Sequence, residues 1–363
     1  MDSFFYDNNF IPFKGGFRMK KRLCILSFCL LFLLLAAVCS AYADDLPSNY
    51  SKALKYVKNN QPMEAVATNV GWNPQQLTDI RNALPEGAVF HFTCKWNGVT
   101  FSDESEALDL TKAKKDLNDN TFRLLLALCP NVKSVDNSTN KLPSNDTFIP
   151  LMEEHPEIHF EWIVHLRGEH YCPTNATAYS TLNHTDYGTR LKSADLELLQ
   201  YIPGLKALDV GHNSFTDLSF LRFFPDLELL IISNNDHVDD LTEVGKLTHL
   251  KYLEVHNTHV SDLSPLANCK EMLDLNVSST WVTDLSPLDE VTSLDRFWAN
   301  GLKKLPESEQ TRFKELHPNC TADFTVKGSA ISHKWREHDR FYRFRRCFRH
   351  KMWVPFDEPW PED

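Results

Sequence analysis

The run Leu205-Lys206-Ala207-Leu208-Asp209-Val210-Gly211-His212-Asn213-Ser214-Phe215 decides the fold, because its form, LxxLxLxxNx followed by an apolar residue, does not stand alone. The pattern returns from Leu227 (Leu230, Ile232, Asn235), from Leu250 (Leu253, Val255, Thr258, Val260) and from Met272 (Leu275, Val277, Thr280, Val282). A degraded copy begins at Leu294 (Phe297, Ala299, Leu302), so the starts lie 22, 23, 22 and 22 residues apart. Between them runs a second signature, Asp-Leu-Ser-x-Leu, at 217–221, 262–266 and 284–288, with a variant at 240–244 and a half-copy at 195–199. A fixed period of this length marks a stacked repeat. The alternating apolar residues of LxxLxL point one face of a short parallel strand into a core. Asn213 and Asn235 satisfy backbone groups where the chain turns away from the strand. One repeat cannot bury its own apolar face, so neighbours stack into a continuous core and the ends need caps.

These residues resemble the leucine-rich repeat family. The 22-residue spacing and the Asp-Leu-Ser-Pro-Leu segments at 262–266 and 284–288 are similar to its bacterial internalin-type subclass. The resemblance covers residues 191–306. It implies an α/β solenoid of horseshoe form with parallel strands on the concave face, in a secreted or cell-surface binding protein. Thr258 and Thr280 stand where the family has Asn, and the second repeat carries an extra residue around Asp236. A threonine hydroxyl replaces only part of the amide's bonding, so local loosening is expected there.

Outside the array, Cys129-Pro130, His155-Pro156, Ile202-Pro203, Phe224-Pro225 and His317-Pro318 each sit where a helical pattern meets a strand-like one. Helices are expected over 119–129 and 145–154, and strands near 132–136 and 158–165. They read as longer, irregular helix-bearing units of the same solenoid; a separate α/β domain is the alternative. Residues 51–84 read as helical, Ala88 to Cys94 alternates like a strand, and Asn97-Gly98 marks a tight hairpin turn. After the array, Phe341, Phe344 and Phe348 share one helical face, with Trp335 nearby and arginines between. The expectation is an aromatic, basic capping helix that covers the last repeat, and the family resemblance implies a similar Trp- and Arg-rich tail. The alternative is an Arg/aromatic surface for nucleic acid or anionic lipid.

The 363 residues carry 38 basic and 49 acidic side chains, a formal −11 that argues against general nucleic-acid binding. From Met19 the chain reads as a secretory signal: Lys20, Lys21 and Arg22, then an uncharged stretch from Leu23 to Val38, then Ala41-Tyr42-Ala43 as the cleavage triplet. An uncleaved anchor is the alternative, since a spanning helix needs roughly 20 apolar residues. Setting residues 1–43 aside leaves 33 basic and 47 acidic side chains, a formal −14, and six cysteines. No CxxC pair exists among these, so zinc-ribbon and thioredoxin-type chemistry fails. Cys320–Cys347 is the first disulfide to test, with buried free thiols as the alternative. Seven N-x-S/T sequons occur, Asn276 among them.

No HExxH, GxSxG, Walker or GxGxxG motif is present, and no cofactor is expected. The near pair His170 and Cys172 keeps a thiol hydrolase in residues 44–190 as a distant alternative. Binding is the better reading, and the repeat register nominates residues. The outward column between the last two Leu positions reads Asp209, Ile231, Glu254, Asn276, Trp298. The column two residues earlier contains Tyr252, Asp274 and Arg296, and the one two later contains His256. Tyr252 and Trp298 are candidate anchors, and Leu229, Ile231 and Trp298 are apolar for a face open to water. A merely solvated sheet is the bland alternative. Glu254, His256 and Asp274 form a candidate cation group on adjacent strands.

The expected organisation is an extension and signal peptide over 1–43, a helical and hairpin cap over 44–118, irregular units over 119–190, repeats over 191–306, and a C-terminal cap and tail over 307–363. The expected function is non-catalytic recognition of a protein or glycan partner through the concave face, with no nucleic-acid partner and no stable membrane insertion after cleavage. The runner-up is a structural or adhesive surface protein that makes its contacts through the basic tail.

Overall fold

A computed structural model describes residues 43–183, 189–325 and 334–361. The export segment lies outside them, Ala43 apart. The chain forms two compact units that divide between Lys95 and Trp96, inside the segment read as a cap over 44–118.

In the first unit, β1 (Asp44–Asp45), β2 (Glu64–Val70) and β3 (Val89–Trp96) run parallel in that order, connected by α1 (Tyr50–Asn60) and α2 (Pro74–Ala83). The Asn49 side chain accepts the Lys52 N–H to start α1, which stops at Gln61 with φ of 47°. A capping box between Asn73 and Gln76, with Pro74 in the first turn, starts α2. Residues 51–84 are therefore not uniformly helical. Ala65 and Ala67 are fully buried on alternate positions of β2. Alanine's helical propensity conceals that period of two, while Pro62 and Gly71-Trp72-Asn73-Pro74 mark the breaks around it.

The second unit opens with Asn97 and Gly98, both at positive φ (54° and 88°) as a type I′ turn requires, followed by β4 (Val99–Ser102). The strands β5 (Ala107–Asp109), β6 (Ser134–Asp136) and β7 (His159–Glu161) pair in parallel, with α3 (Asp119–Leu128) and α4 (Asn145–Glu154) in their connections. The helices expected over 119–129 and 145–154 are present, each ending just before its X-Pro pair. An antiparallel pair, β8 (Ile163–Arg167) and β9 (His170–Pro173), then separates them from the main sheet.

The main sheet holds seven parallel strands in chain order: β10 (Ala178–Ser180), β11 (Ala207–Asp209), β12 (Leu229–Ile231), β13 (Tyr252–Glu254), β14 (Asp274–Asn276), β15 (Arg296–Trp298) and β16 (Thr321–Asp323). A one-turn helix α5 (Ser193–Leu196) lies in the first connection and α6 (Glu307–Leu316) in the last. The middle residues Leu208, Leu230, Leu253, Leu275 and Phe297 stand side by side and are fully buried. This is a leucine-rich-repeat architecture, one strand longer at each end than the quoted copies.

The turn after each strand repeats too. His212, Asn234, Asn257 and Ser279 adopt φ of 56–59°, and Gly301 takes 73° at the same place. The Asn235 amide donates to the carbonyls of Val210, Ile232 and Ser233, and its oxygen accepts the Asn213 N–H, so one side chain ties two repeats together. Thr258 and Thr280 keep only the bond within the turn, to Val255 O at 2.7 Å and Val277 O at 2.6 Å. On the opposite side, Asp217, Asp240, Asp262 and Asp284 each accept the N–H two residues on, which is why Asp-Leu-Ser/Thr recurs ahead of the short 3-10 turns. No helix among the described residues is long and apolar enough to cross a membrane.

Candidate ligand site beneath the C-terminal helix

The last helix, α7 (Asp339–His350), carries Phe341, Phe344, Cys347 and Phe348 on one buried face. His338 Nδ1 accepts the Arg340 N–H at its start, and Lys351 closes it with φ of 55°. Twelve residues span ~18 Å, close to four strand spacings of ~4.8 Å. The helix uses that length to cross the concave face of the main sheet rather than to cap its open end. Its aromatic residues, with Trp335, Trp353 and Val354, form one buried cluster with Ala178, Ala207, Leu229, Ile231, Tyr252 and Trp298. At the far end the Lys351 carbonyl accepts the N–H groups of Thr177 and Ala178, covering the outer edge of β10.

Polar contacts fix the crossing. Asp274, fully buried, accepts from Arg296 Nε at 2.7 Å and from Arg340 Nε and Nη2 at 2.7 and 2.9 Å. Arg340 also reaches Asp295 at 2.9 Å. Arg296 donates to the Trp335 carbonyl at 3.0 Å, and its guanidinium lies 4.3 Å from the Trp335 ring centre. Trp335 in turn touches Tyr252 and Trp298 (centroids 5.6 and 5.2 Å) and donates its indole N–H to Glu254 at 2.9 Å. Tyr252 donates its hydroxyl to the same Glu254 oxygen, and His256 Nδ1 lies 3.3 Å from the other. Burial works to raise the Glu254 carboxyl, but His256, Tyr252 and Trp335 together outweigh it and hold it below its ordinary value.

Beside the helix, over β10 to β13, the sheet keeps an open cavity of about 540 Å³. Its sheet wall includes Ser180, Asp209, Gly211, Ser233, Glu254 and His256, with His212 and Asn234 at its edge. Its helix wall alternates Phe341, Phe344 and Phe348 with Arg336, Arg345, Arg349 and Lys351. The small residues Gly211 and Ser233 leave the space that larger side chains would fill.

Asp209 lies at the bottom of this cavity, bonded by the Ser180 hydroxyl at 2.8 Å and the Gly211 N–H at 3.1 Å. Burial nevertheless pushes its carboxyl up to about 6. The folded state thus holds this proton more tightly than the unfolded chain, so the stabilising contribution is complete below about pH 4 and is lost as pH rises through about 6. Asp209→Asn, which keeps an acceptor but cannot ionise, is expected to match the wild type at pH 4 and exceed its stability at pH 8 by about 2–3 kcal/mol. Urea unfolding at pH 4, 6 and 8 measures this; a constant difference between the two proteins would show that the carboxyl is not desolvated.

Every residue nominated for the open concave face is buried: Asp209, Ile231, Glu254, Asn276, Trp298, Tyr252, Asp274, Arg296 and His256. Their register is as the repeat spacing requires, with Asp209, Ile231, Glu254, Asn276 and Trp298 on successive strands. The expectation of a solvent-open face is corrected, because the tail's aromatic surface has found the large apolar side chains there. Only Asp209, Ile231, Glu254 and His256 still border the cavity. The arginines that face it belong to the basic tail of the runner-up reading, and Arg345 and Arg349 stand one helical turn apart on it. The candidate cation group does not converge: Asp274 is taken by two guanidinium groups, and no cluster of three metal-ligating side chains occurs among the described residues. Cys320 and Cys347 are thiols, not a disulfide, as are the other four cysteines of the described residues. Cys172 is buried and its thiol is pushed up to about 12, so it is protonated at neutral pH, the reverse of what a thiol nucleophile needs. Asn276 is fully buried, which leaves no room for a glycan in the folded state.

No protein-family model matches the sequence, and comparison with curated proteins found no match. Among solved structures, an internalin C2 of Listeria monocytogenes is similar at 19% identity and a TM-score of 0.30, over 43% of this chain and 76% of that one. An internalin F of the same organism (14%, TM-score 0.33, 74% and 69% of the two chains) is also similar. So is a leucine-rich-repeat protein of Leptospira interrogans (14%, TM-score 0.33, 77% and 75%). Similarity at this level carries nothing about partner or activity.

Proposed function

We propose that this is a non-catalytic binding protein, secreted or surface-displayed, that engages an acidic protein or glycan partner through the mouth of the cavity and the adjoining outer face of α7. The observation that carries this reading is the basic character of that mouth. Arg345 and Arg349 border the cavity and, with Arg346 and the exposed Tyr342, a second shallow depression on the outer side of the helix. A basic stripe on a chain with an overall acidic balance steers acidic partners toward one place. The signal-like segment at 19–43 supports the secreted or surface setting.

This reading joins the two sequence expectations. Part of the concave face, Asp209, Ile231, Glu254 and His256, is reachable through the cavity, and the basic tail supplies its other wall. Tyr252 and Trp298 serve as supports for the helix, so substituting them tests folding rather than capture. The discriminating experiment immobilises residues 44–363 and compares the wild type with Arg345→Glu/Arg346→Glu/Arg349→Glu against secreted-protein and glycan panels. Specific capture by the wild type and loss by the variant, with unchanged far-UV and near-UV circular dichroism, is the expected result. Capture unaffected by the triple reversal would overturn it.

A further inference from the structure

Four cations border the cavity, and none of Arg336, Arg345, Arg349 and Lys351 makes an ion pair among the described residues. Three of them lie over rings: Arg336 and Arg345 are 5.6 and 5.8 Å from the Phe341 ring centre, and Lys351 is 5.2 Å from that of Tyr171. The two carboxylates on the sheet side form no hydrogen bond or ion pair with them, and only Arg336 acts on one of them, Asp209, through space. Asp209 is used by Ser180 and Gly211, and Glu254 by Tyr252, Trp335 and His256. The cavity therefore has unspent positive charge at its mouth, flat apolar rings along one wall, and short hydroxyl, amide and imidazole groups along the other. Its volume of about 540 Å³ lies within the roughly 300–1,000 Å³ of small-molecule sites.

Each of these three features excludes something. A purely apolar ligand would bring nothing to the arginines. A bare inorganic anion would leave the phenylalanine wall and most of the volume in water. A neutral sugar would satisfy the polar wall and the rings but not the charge. We propose that the cavity binds an acidic saccharide of one or two rings, its carboxylate at Arg345 and Arg349, its ring face on Phe341 and Phe348, and its hydroxyl groups toward Ser233, Asn234 and His212. Arginine suits the carboxylate because its planar fork donates two parallel hydrogen bonds. The ring's C–H face covers the aromatic wall, and each sugar hydroxyl both donates and accepts, which lets it join the bonds that already link Ser233 to His256 and Asn234 to His212. This assignment rests on the cavity being the recognition site proposed above and names the chemistry it selects.

The test is calorimetric titration and ligand-observed NMR of residues 44–363 with D-glucuronate and D-galacturonate, and with D-glucose, acetate and sulfate as controls. Saturable binding of at least one uronate, at least tenfold stronger than glucose, acetate or sulfate, is the expected result. Arg345→Glu/Arg349→Glu should weaken it at least tenfold, and Arg345→Lys/Arg349→Lys should recover part of the loss. Both pairs change exposed positions, so the fold is retained and thermal unfolding should be unchanged. Glucose binding as well as a uronate, sulfate or acetate binding as well as a uronate, indifference to the charge reversal, or no saturable signal would each overturn the assignment. If uronates fail while partner capture is still lost on reversal of Arg345, Arg346 and Arg349, the saccharide is wrong and the basic recognition surface stands.

Discussion

Replacing Asp274 by alanine is expected to cost about 3–5 kcal/mol of folding stability, because it strips the shared anion from two guanidinium groups at once. The Arg296 side chain is 6% exposed and that of Arg340 16%, so neither can recover full hydration in place. Arg340 retains Asp295 at 2.9 Å, whereas Arg296 keeps only the Trp335 carbonyl and ring. Most of the cost should therefore follow Arg296. Equilibrium unfolding in urea checks the magnitude, and the double variant Asp274→Leu/Arg296→Met checks the cause. If a stranded charge is responsible, removing it as well should recover more than half of the loss. A single-variant cost below about 1 kcal/mol would mean the site is solvated and the helix does not cover it.

Trp335→Ala is expected to cost a similar ~3–5 kcal/mol through a different mechanism. The indole is fully buried and is the keystone between Tyr252, Trp298 and the Arg296 guanidinium, so its loss opens a cavity that three rigid neighbours cannot close. It also removes a hydrogen bond to Glu254, a carboxylate already denied water. Trp335→Phe separates the two contributions: it retains most of the ring packing and loses the N–H, for an expected ~1–3 kcal/mol. Near-UV circular dichroism and limited proteolysis around residues 334–361 should report loosening of α7 in the alanine variant. Unaltered stability in both variants would place Trp335 outside the core.

The periodic part of the molecule was legible because one interaction determines it. Leu208, Leu230, Leu253, Leu275 and Phe297 stack directly on one another, so their sequence spacing is the spatial spacing. The concave columns came out in register for the same reason. What covers them did not, because a helical period identifies which face of α7 is apolar and says nothing about which surface that face meets. Arg340 and Asp274 stand 66 residues apart, and Trp335 and Glu254 81. No local pattern records such pairings. The clue present in the sequence was the misfit of Leu229, Ile231, Tyr252 and Trp298 on a face assumed to be wet, in the same chain as an amphipathic helix with no assigned partner. The strand Glu64–Val70 was missed by a different route, since alternating alanines satisfy helical and strand patterns equally well.

The charged seam between α7 and β14 offers the most direct measurement of whether the chain's own C-terminal segment occupies its concave face. A double-mutant cycle on Arg340→Ala and Asp274→Ala, read by urea unfolding, isolates their interaction from every other consequence of the two changes. The bidentate contact at 2.7 and 2.9 Å predicts a coupling of about 1.5–3 kcal/mol. Additivity to within about 0.5 kcal/mol would contradict it and leave the concave face open.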